Sequence, residues 1–125
     1  MNYIAQSWKA LLVTAALTLP TLAFAADPAM MKDGMMVDHK GMTVYTFDKD
    51  AGGKSMCNGD CAKNWPPLMA AGDAKADGAY SIVDRKDGTK QWAKDGMPLY
   101  FWVKDKKAGD ITGDGVGGNW DLAKP

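Results

Sequence analysis

Gly41-Met42-Thr43-Val44-Tyr45-Thr46-Phe47-Asp48-Lys49-Asp50 falls on Gly96-Met97-Pro98-Leu99-Tyr100-Phe101-Trp102-Val103-Lys104-Asp105 when the chain is laid on itself at an offset of 55 residues. Continued without a gap, the same register sets Asn64-Trp65 on Asn119-Trp120, and seven of the 25 positions from Gly41 to Trp65 are identical. Val44 with Leu99 and Phe47 with Trp102 are conservative pairs. Identity this dense in one register implies a duplicated supersecondary unit. Two copies are too few for a propeller or an open solenoid, which need about three or more. The copies are therefore expected to pack on each other as one pseudo-symmetric domain.

Each copy reads as a hairpin followed by a loop. In copy one, Met35 to Asp38 leads through His39-Lys40-Gly41 into a strand from Met42 to Phe47. In copy two, Lys90 to Ala93 leads through Lys94-Asp95-Gly96 into Met97 to Val103. Glycine at the end of each turn supplies the positive φ that tight hairpins need. Tyr80 to Val83 and the turn from Asp84 to Gly88 add a strand before copy two, and a last strand runs from Asn119 to Ala123. Strand alternation puts Tyr45 and Phe47 on one face, and Tyr100 and Trp102 on the matching face of copy two. Leu99, Phe101 and Val103 point the other way, which predicts a strand apolar on both faces. Asp50 and Asp105 fall one step out of alternation, just past each strand, where an Asp side chain accepts from the N–H groups of the next turn. Trp65 and Trp120 close each unit over its aromatic face. The fold class is mainly β: two tandem homologous β-hairpin-plus-loop repeats packed as one small pseudo-symmetric domain, with a short helix near the cysteines. Copy one spans about 34–69, a polar Ala/Gly/Asp/Lys linker 70–78, and copy two about 79–124, following a flexible N-terminus at 26–33.

The first 25 residues differ in kind. Lys9 is the only charged residue before Asp27, an apolar run follows from Ala10 to Leu19, and Ala23-Phe24-Ala25 is a small-x-small cleavage pattern. This is the layout of a secretory signal peptide. The run is shorter than the roughly 20 residues a membrane span requires, so no transmembrane anchor is expected after cleavage. Of 15 Lys and Arg, one lies in this leader, leaving 14 against 15 acidic residues, and all 15 acids are Asp. Such a balance offers no basic surface for nucleic acid. Asp in place of Glu, with 14 Gly, favours turns over helix interiors.

The pattern Y-x-[FWY]-x-x-D, present as Tyr45-x-Phe47-x-x-Asp50 and Tyr100-x-Trp102-x-x-Asp105, resembles the bacterial secreted-repeat or predicted-lipoprotein family named for it. Cys57-x-x-x-Cys61-Ala62-Lys63-Asn64-Trp65-Pro66-Pro67-Leu68 and the Gly-rich stretch from Gly109 to Trp120 extend the likeness over about residues 34–124. The resemblance implies an exported protein and carries no established activity. Many members look like lipoproteins. This chain has no cysteine before Cys57, which favours a free periplasmic or secreted protein over a lipid-anchored one.

Four constellations bear on chemistry. Cys57 and Cys61 would meet an oxidising compartment after export, where a disulfide is the default. Closing so short a loop contributes about 2 kcal/mol on the chain-entropy account. The spacing is neither C-x-x-C nor a haem-attachment motif, and a redox role stands as an alternative. Met30, Met31, Met35, Met36 and Met42 surround His39, the only histidine; thioethers and imidazole suit cuprous copper, with Met31, Met35, Met36, His39 and Met42 as the candidate ligands, against the reading that Met30 and Met31 lie in a frayed N-terminus while Met35, Met36 and Met42 pack. Asp110, Thr112, Asp114 and Asp121 graze the spacing of a calcium loop, against the simpler reading of a Gly-rich turn. Tyr45, Phe47, Trp65, Tyr100, Trp102 and Trp120 are expected to form core. With one His, no Glu and no triad spacing, the chain offers few general acid–base candidates. The sequence points to a non-enzymatic, monomeric binding or envelope-accessory module, its partner an unidentified ligand or envelope protein.

Overall fold

The structure is a computed structural model and describes residues 27–125; the leader expected at 1–25 lies outside the described residues. The chain enters through β1 (Met30–Lys32) and β2 (Met35–Val37), an antiparallel pair in the register Met31↔Met36. Asp33 and Gly34 close this hairpin with φ of 52° and 80°, the two positive values of a type I′ turn. Met30–Lys32 lies inside the segment expected to be flexible. Next come β3 (Tyr45–Phe47), the short helix α1 (Asp60–Asn64) and β4 (Met69–Ala70). Copy two supplies β5 (Tyr80–Asp84), β6 (Lys90–Lys94), β7 (Met97–Pro98), a 3-10 turn at Val116–Gly118 and β8 (Trp120–Leu122).

β6 organises the largest sheet. One edge takes the whole of β5, with Ile82 opposite Trp92, and the other takes β4 and then β7. The strand expected from Met97 to Val103 stays on β6 only as far as Leu99, whose N–H donates to the Trp92 carbonyl at 2.9 Å. The Leu99 carbonyl accepts instead from Leu68 N–H at 2.9 Å, and from there the chain passes to copy one. Leu99 and Tyr100 still point into the core with no exposure, whereas Val103 is 37 % exposed. The expectation that Val103 packs with Leu99 and Phe101 is corrected: its N–H is held by the Asn64 carbonyl at 3.0 Å, where the chain is already turning toward Asp105.

The two copies are interleaved. β3 of copy one pairs with β8 of copy two, Tyr45 opposite Leu122, while Tyr100 of copy two bridges Pro67 of copy one. Equivalent bonds recur with the copies exchanged. Leu68 N–H donates to Leu99 O at 2.9 Å and Ala123 N–H to Val44 O at 3.0 Å. Asp48 N–H donates to Asn119 O at 2.8 Å, mirroring Val103 to Asn64 at 3.0 Å. On the pseudo-axis Tyr45 and Tyr100 exchange backbone bonds at 2.7 and 2.9 Å. Neither copy closes its own aromatic strand, so each is scaffold for the other.

The copies diverge in the loops that hold α1 and the 3-10 turn, and in the loops of their first hairpins. Val83 faces Gln91 as Met31 faces Met36, but five residues, Arg85 to Thr89, join β5 to β6 where two join β1 to β2. Two core clusters result. One gathers Ala29, Met36, Val44, Leu68, Tyr80, Leu99 and Ala123; the other gathers Tyr45, Phe47, Cys57, Trp65, Tyr100 and Trp120.

Candidate functional site

The duplicated motif forms a closed internal figure. Tyr45 donates its hydroxyl to Asp105 Oδ2 at 2.7 Å, and Tyr100 donates to Asp50 Oδ2 at 2.7 Å. Each tyrosine thus bonds the aspartate of the other copy. The remaining carboxylate oxygens do what an Asp past a strand is expected to do. Asp50 Oδ1 accepts Met56 N–H at 2.7 Å, and Asp105 Oδ1 accepts Thr112 N–H at 2.9 Å and its hydroxyl at 2.6 Å. Asp50 and Asp105 do not face one another as a carboxylate pair. Burial first, then the bond to Asp105, pushes the Tyr45 phenol far above its ordinary range. Burial does the same for Tyr100, opposed by the Ser55 hydrogen bond and reinforced by Asp50. Burial also raises the Asp50 carboxyl, opposed by the bonds from Tyr100 and Met56 and by the charge of Arg85.

Above this figure lies a stack of four rings. Phe47 lies on Trp120 with centroids 4.3 Å apart, Trp120 on Trp65 at 3.7 Å, and Trp65 on Trp102 at 4.1 Å. Tyr45 meets Trp65 edge-on at 5.5 Å, and Tyr100 meets Trp120 edge-on at 5.1 Å. The six aromatics singled out in the sequence are thus one packed assembly.

Sequence reasoning missed Arg85, although it is the only arginine in the chain. The longer β5–β6 loop turns it inward to 7 % exposure. Its Nη1 donates to Gln91 Oε1 at 2.7 Å and Ser55 Oγ at 2.9 Å; its Nη2 donates to the Cys57 carbonyl at 2.7 Å and lies 3.4 Å from Asn58 Oδ1. Ser55 Oγ lies 2.6 Å from the Tyr100 hydroxyl. Since the Tyr100 proton is spent on Asp50, the polar chain runs Arg85, Ser55, Tyr100, Asp50, a buried cation and carboxyl joined through two hydroxyls. This network pins copy two to the cysteine loop of copy one. Cys57 and Cys61 are joined as a disulfide, with Cys57 fully buried.

The calcium-like positions are dispersed. Asp110 Oδ2 accepts the N–H groups of Lys106 and Lys107 at 2.8 and 3.1 Å, and Thr112 is taken by Asp105. Asp121 sits on β8, its carboxyl raised by a hydrogen bond with Asp48. Among the described residues no three His, Cys, Asp or Glu side chains converge on a common point.

The open concavities lie elsewhere. A depression of about 500 Å³ is bounded by Asp27, Asp73, Lys75, Asp77, Tyr80 and Trp92. Tyr80 and Trp92 meet edge-on at 6.4 Å and form its aromatic corner. Across Tyr80 and Asp27 a second depression, about 390 Å³, takes in Met30, Met31, Met36 and His39. The structure thus brings Met30, Met31, Met36 and His39 to one depression. Met35 lines a separate hollow with Lys32, Gly41 and Ala108, and Met42 stands in neither depression. His39 is held through Nε2 by the carbonyl of Asp27.

A buried, reciprocal Tyr–Asp core with an unduplicated, concave outer face defines the molecule as a pseudo-twofold repeat protein. The chain belongs to the family of secreted repeats of unknown function, whose model matches residues 29–69 and 81–124. No curated protein and no solved structure matches it. Among the described residues no helix is long and apolar enough to cross a membrane.

Proposed function

We propose that this is a non-catalytic binding module of the bacterial envelope, exported to the periplasm, free of a lipid anchor, and carrying its ligand on the face around Tyr80. One observation supports this above all. Tyr45 and Tyr100 have no solvent exposure, and Asp50 and Asp105 are buried against them. The groups that define the repeat are therefore committed to holding the copies together and meet no substrate. Among the depressions that remain accessible, two adjoin one another and share Tyr80 and Asp27. A pocket of a few hundred cubic ångströms with an aromatic corner and a few polar groups is the ordinary form of a small-ligand site. The leader reading supports export, and the absence of a cysteine at the cleavage pattern supports release from the membrane.

The test is an amide-resolved NMR screen of the exported protein against a fragment library, beside chromogenic ester, phosphate-ester and peptide substrates. Fragment-induced shifts are expected at Asp73–Tyr80, Trp92 and Asp27–His39, with no turnover. Turnover abolished by Asp50→Asn or Asp105→Asn, or no fragment shift anywhere, would overturn the proposal.

A further inference from the structure

We infer that the depression bounded by Met30, Met31, Met36 and His39 is a soft-metal site that takes cuprous ion on His39 Nδ1 and thioether sulfurs. The inference rests on the reading of the Tyr80 face as the ligand face and names its ligand class.

The tautomer of His39 is the first argument. Its Nε2 partner is the backbone carbonyl of Asp27. A carbonyl oxygen only accepts, so Nε2 carries the proton and Nδ1 presents the lone pair. Metal-binding histidines are characteristically oriented in this way, with the second ring nitrogen donating to a carbonyl or carboxylate. The Asp27 carbonyl thus orients the imidazole for a ligand it does not itself touch.

The thioethers are the second argument. Met31 and Met36 are directly opposite across the β1–β2 pair, so their side chains share a face. Met36 is buried, whereas Met30 and Met31 are each 45 % exposed. Met30, Met31, Met36 and His39 all line one concavity, the two exposed thioethers at its rim and the buried one at its base. Thioether and imidazole donors select cuprous copper over magnesium or calcium, which take oxygen. The chain's only two cysteines are spent on the disulfide, so the sulfur donors left to it are thioethers, and three of them meet the only histidine around this depression.

The test uses the exported protein under anaerobic conditions, titrated with cuprous ion against bicinchoninate. One equivalent should bind with a Kd below about 1 μM. His39→Ala and the double variant Met30→Leu/Met31→Leu should each weaken binding about tenfold or more; both leave the buried core intact, and near-UV circular dichroism verifies the fold. Met35→Leu and Met42→Leu should leave affinity unchanged. Long-range ¹H–¹⁵N correlation should move His39 Nδ1 while Nε2 stays protonated. Failure to compete with bicinchoninate, an unaltered affinity in His39→Ala, or equal losses from the Met35 and Met42 variants would overturn the inference. If cuprous ion fails while fragments still shift Tyr80 and Trp92, only the metal assignment falls; if both fail, the ligand-face reading falls with it.

Discussion

Replacing Tyr45 by Phe removes one oxygen from a site that water cannot reach, and its cost follows from what that oxygen holds. The hydroxyl donates to Asp105 Oδ2 at 2.7 Å and accepts the Gly113 N–H at 3.1 Å. Tyr45 has no exposed surface. A hydrogen bond to a charged group is worth about 1.5–3 kcal/mol, and a buried amide left without an acceptor costs about 1–3 kcal/mol. Burying a phenyl ring in place of a phenol offsets about 1–2 kcal/mol of this. The net is a loss of about 3 kcal/mol, on the order of 15 °C in Tm for a domain of this size. Tyr100→Phe gives an internal control. Its hydroxyl also donates to a buried aspartate, but its second partner is the Ser55 hydroxyl rather than a fixed amide. Ser55 can rotate toward the Cys57 carbonyl, 3.4 Å away, so this variant should lose less, about 2 kcal/mol. Urea unfolding followed by tryptophan fluorescence measures both, and a double-mutant cycle of Tyr45→Phe with Asp105→Asn should show coupling. A Tyr45→Phe loss below about 1 kcal/mol, or no coupling in the cycle, would refute the claim that the crossed Tyr–Asp bonds clamp the copies.

Two further outcomes test the same packing. A methyl at Gly113 would stand 2.9 Å from Trp102 Cγ and 2.9 Å from Trp65 Cη2; Trp65 is sandwiched and cannot retreat, so Gly113→Ala should cost about 1–3 kcal/mol and alter the near-UV dichroism of the stack, and a neutral result would show the rings to be loosely held. Stability should also fall in alkali. In the unfolded chain the phenols ionise near the ordinary tyrosine value of about 10, whereas in the native state both are raised. Above that pH the native state binds more protons than the unfolded one, so stability is full below pH 10 and declines as pH rises. A flat unfolding profile across this range, or one unchanged by Tyr45→Phe, would contradict the assignment.

The repeat was legible because identical residues at one offset demand the same local structure, and the disulfide because two cysteines four apart in an exported chain have few other fates. The interleaving was not legible. An offset states which residues are equivalent, but not whether Tyr45 pairs with the closing strand of its own copy or with Leu122 of the other. Only the packed molecule decides that. β1 escaped notice because β1 and β5 share no identical residue, and because the hairpin loops differ by three residues, which takes Met31 and Val83 out of the 55-residue register. Arg85 offered one signal, its singularity among fourteen lysines. That signal says nothing of direction, and an arginine in a polar turn is ordinarily solvated. The methionine cluster was half legible: the residue types pointed to a soft donor set, but it is the turn at Asp33-Gly34 that sets Met31 opposite Met36, and Met35 and Met42 lie outside the depression that Met30, Met31, Met36 and His39 line.

Duplication therefore separates the molecule into two kinds of residue. Those that recur in both copies, the tyrosines, the aspartates and the indoles, are consumed by the crossed contacts. Of those that lack a counterpart of the same chemistry, Met30, Met31 and His39 line the outer depression, while Arg85, Ser55 and Cys57 are buried. Where copy one has Met30, Met31 and Met36, the matching strand positions of copy two hold Ile82, Val83 and Gln91. Gln91 is drawn into fixing Arg85, while Met36 floors an open depression. One hairpin has been used to lock the copies together and the other left with its donors outward. Stability and ligand contact then rest on different side chains, so substitutions at His39, Met30 and Met31 should change binding while the unfolding midpoint holds, and substitutions at Tyr45 or Asp105 should do the reverse.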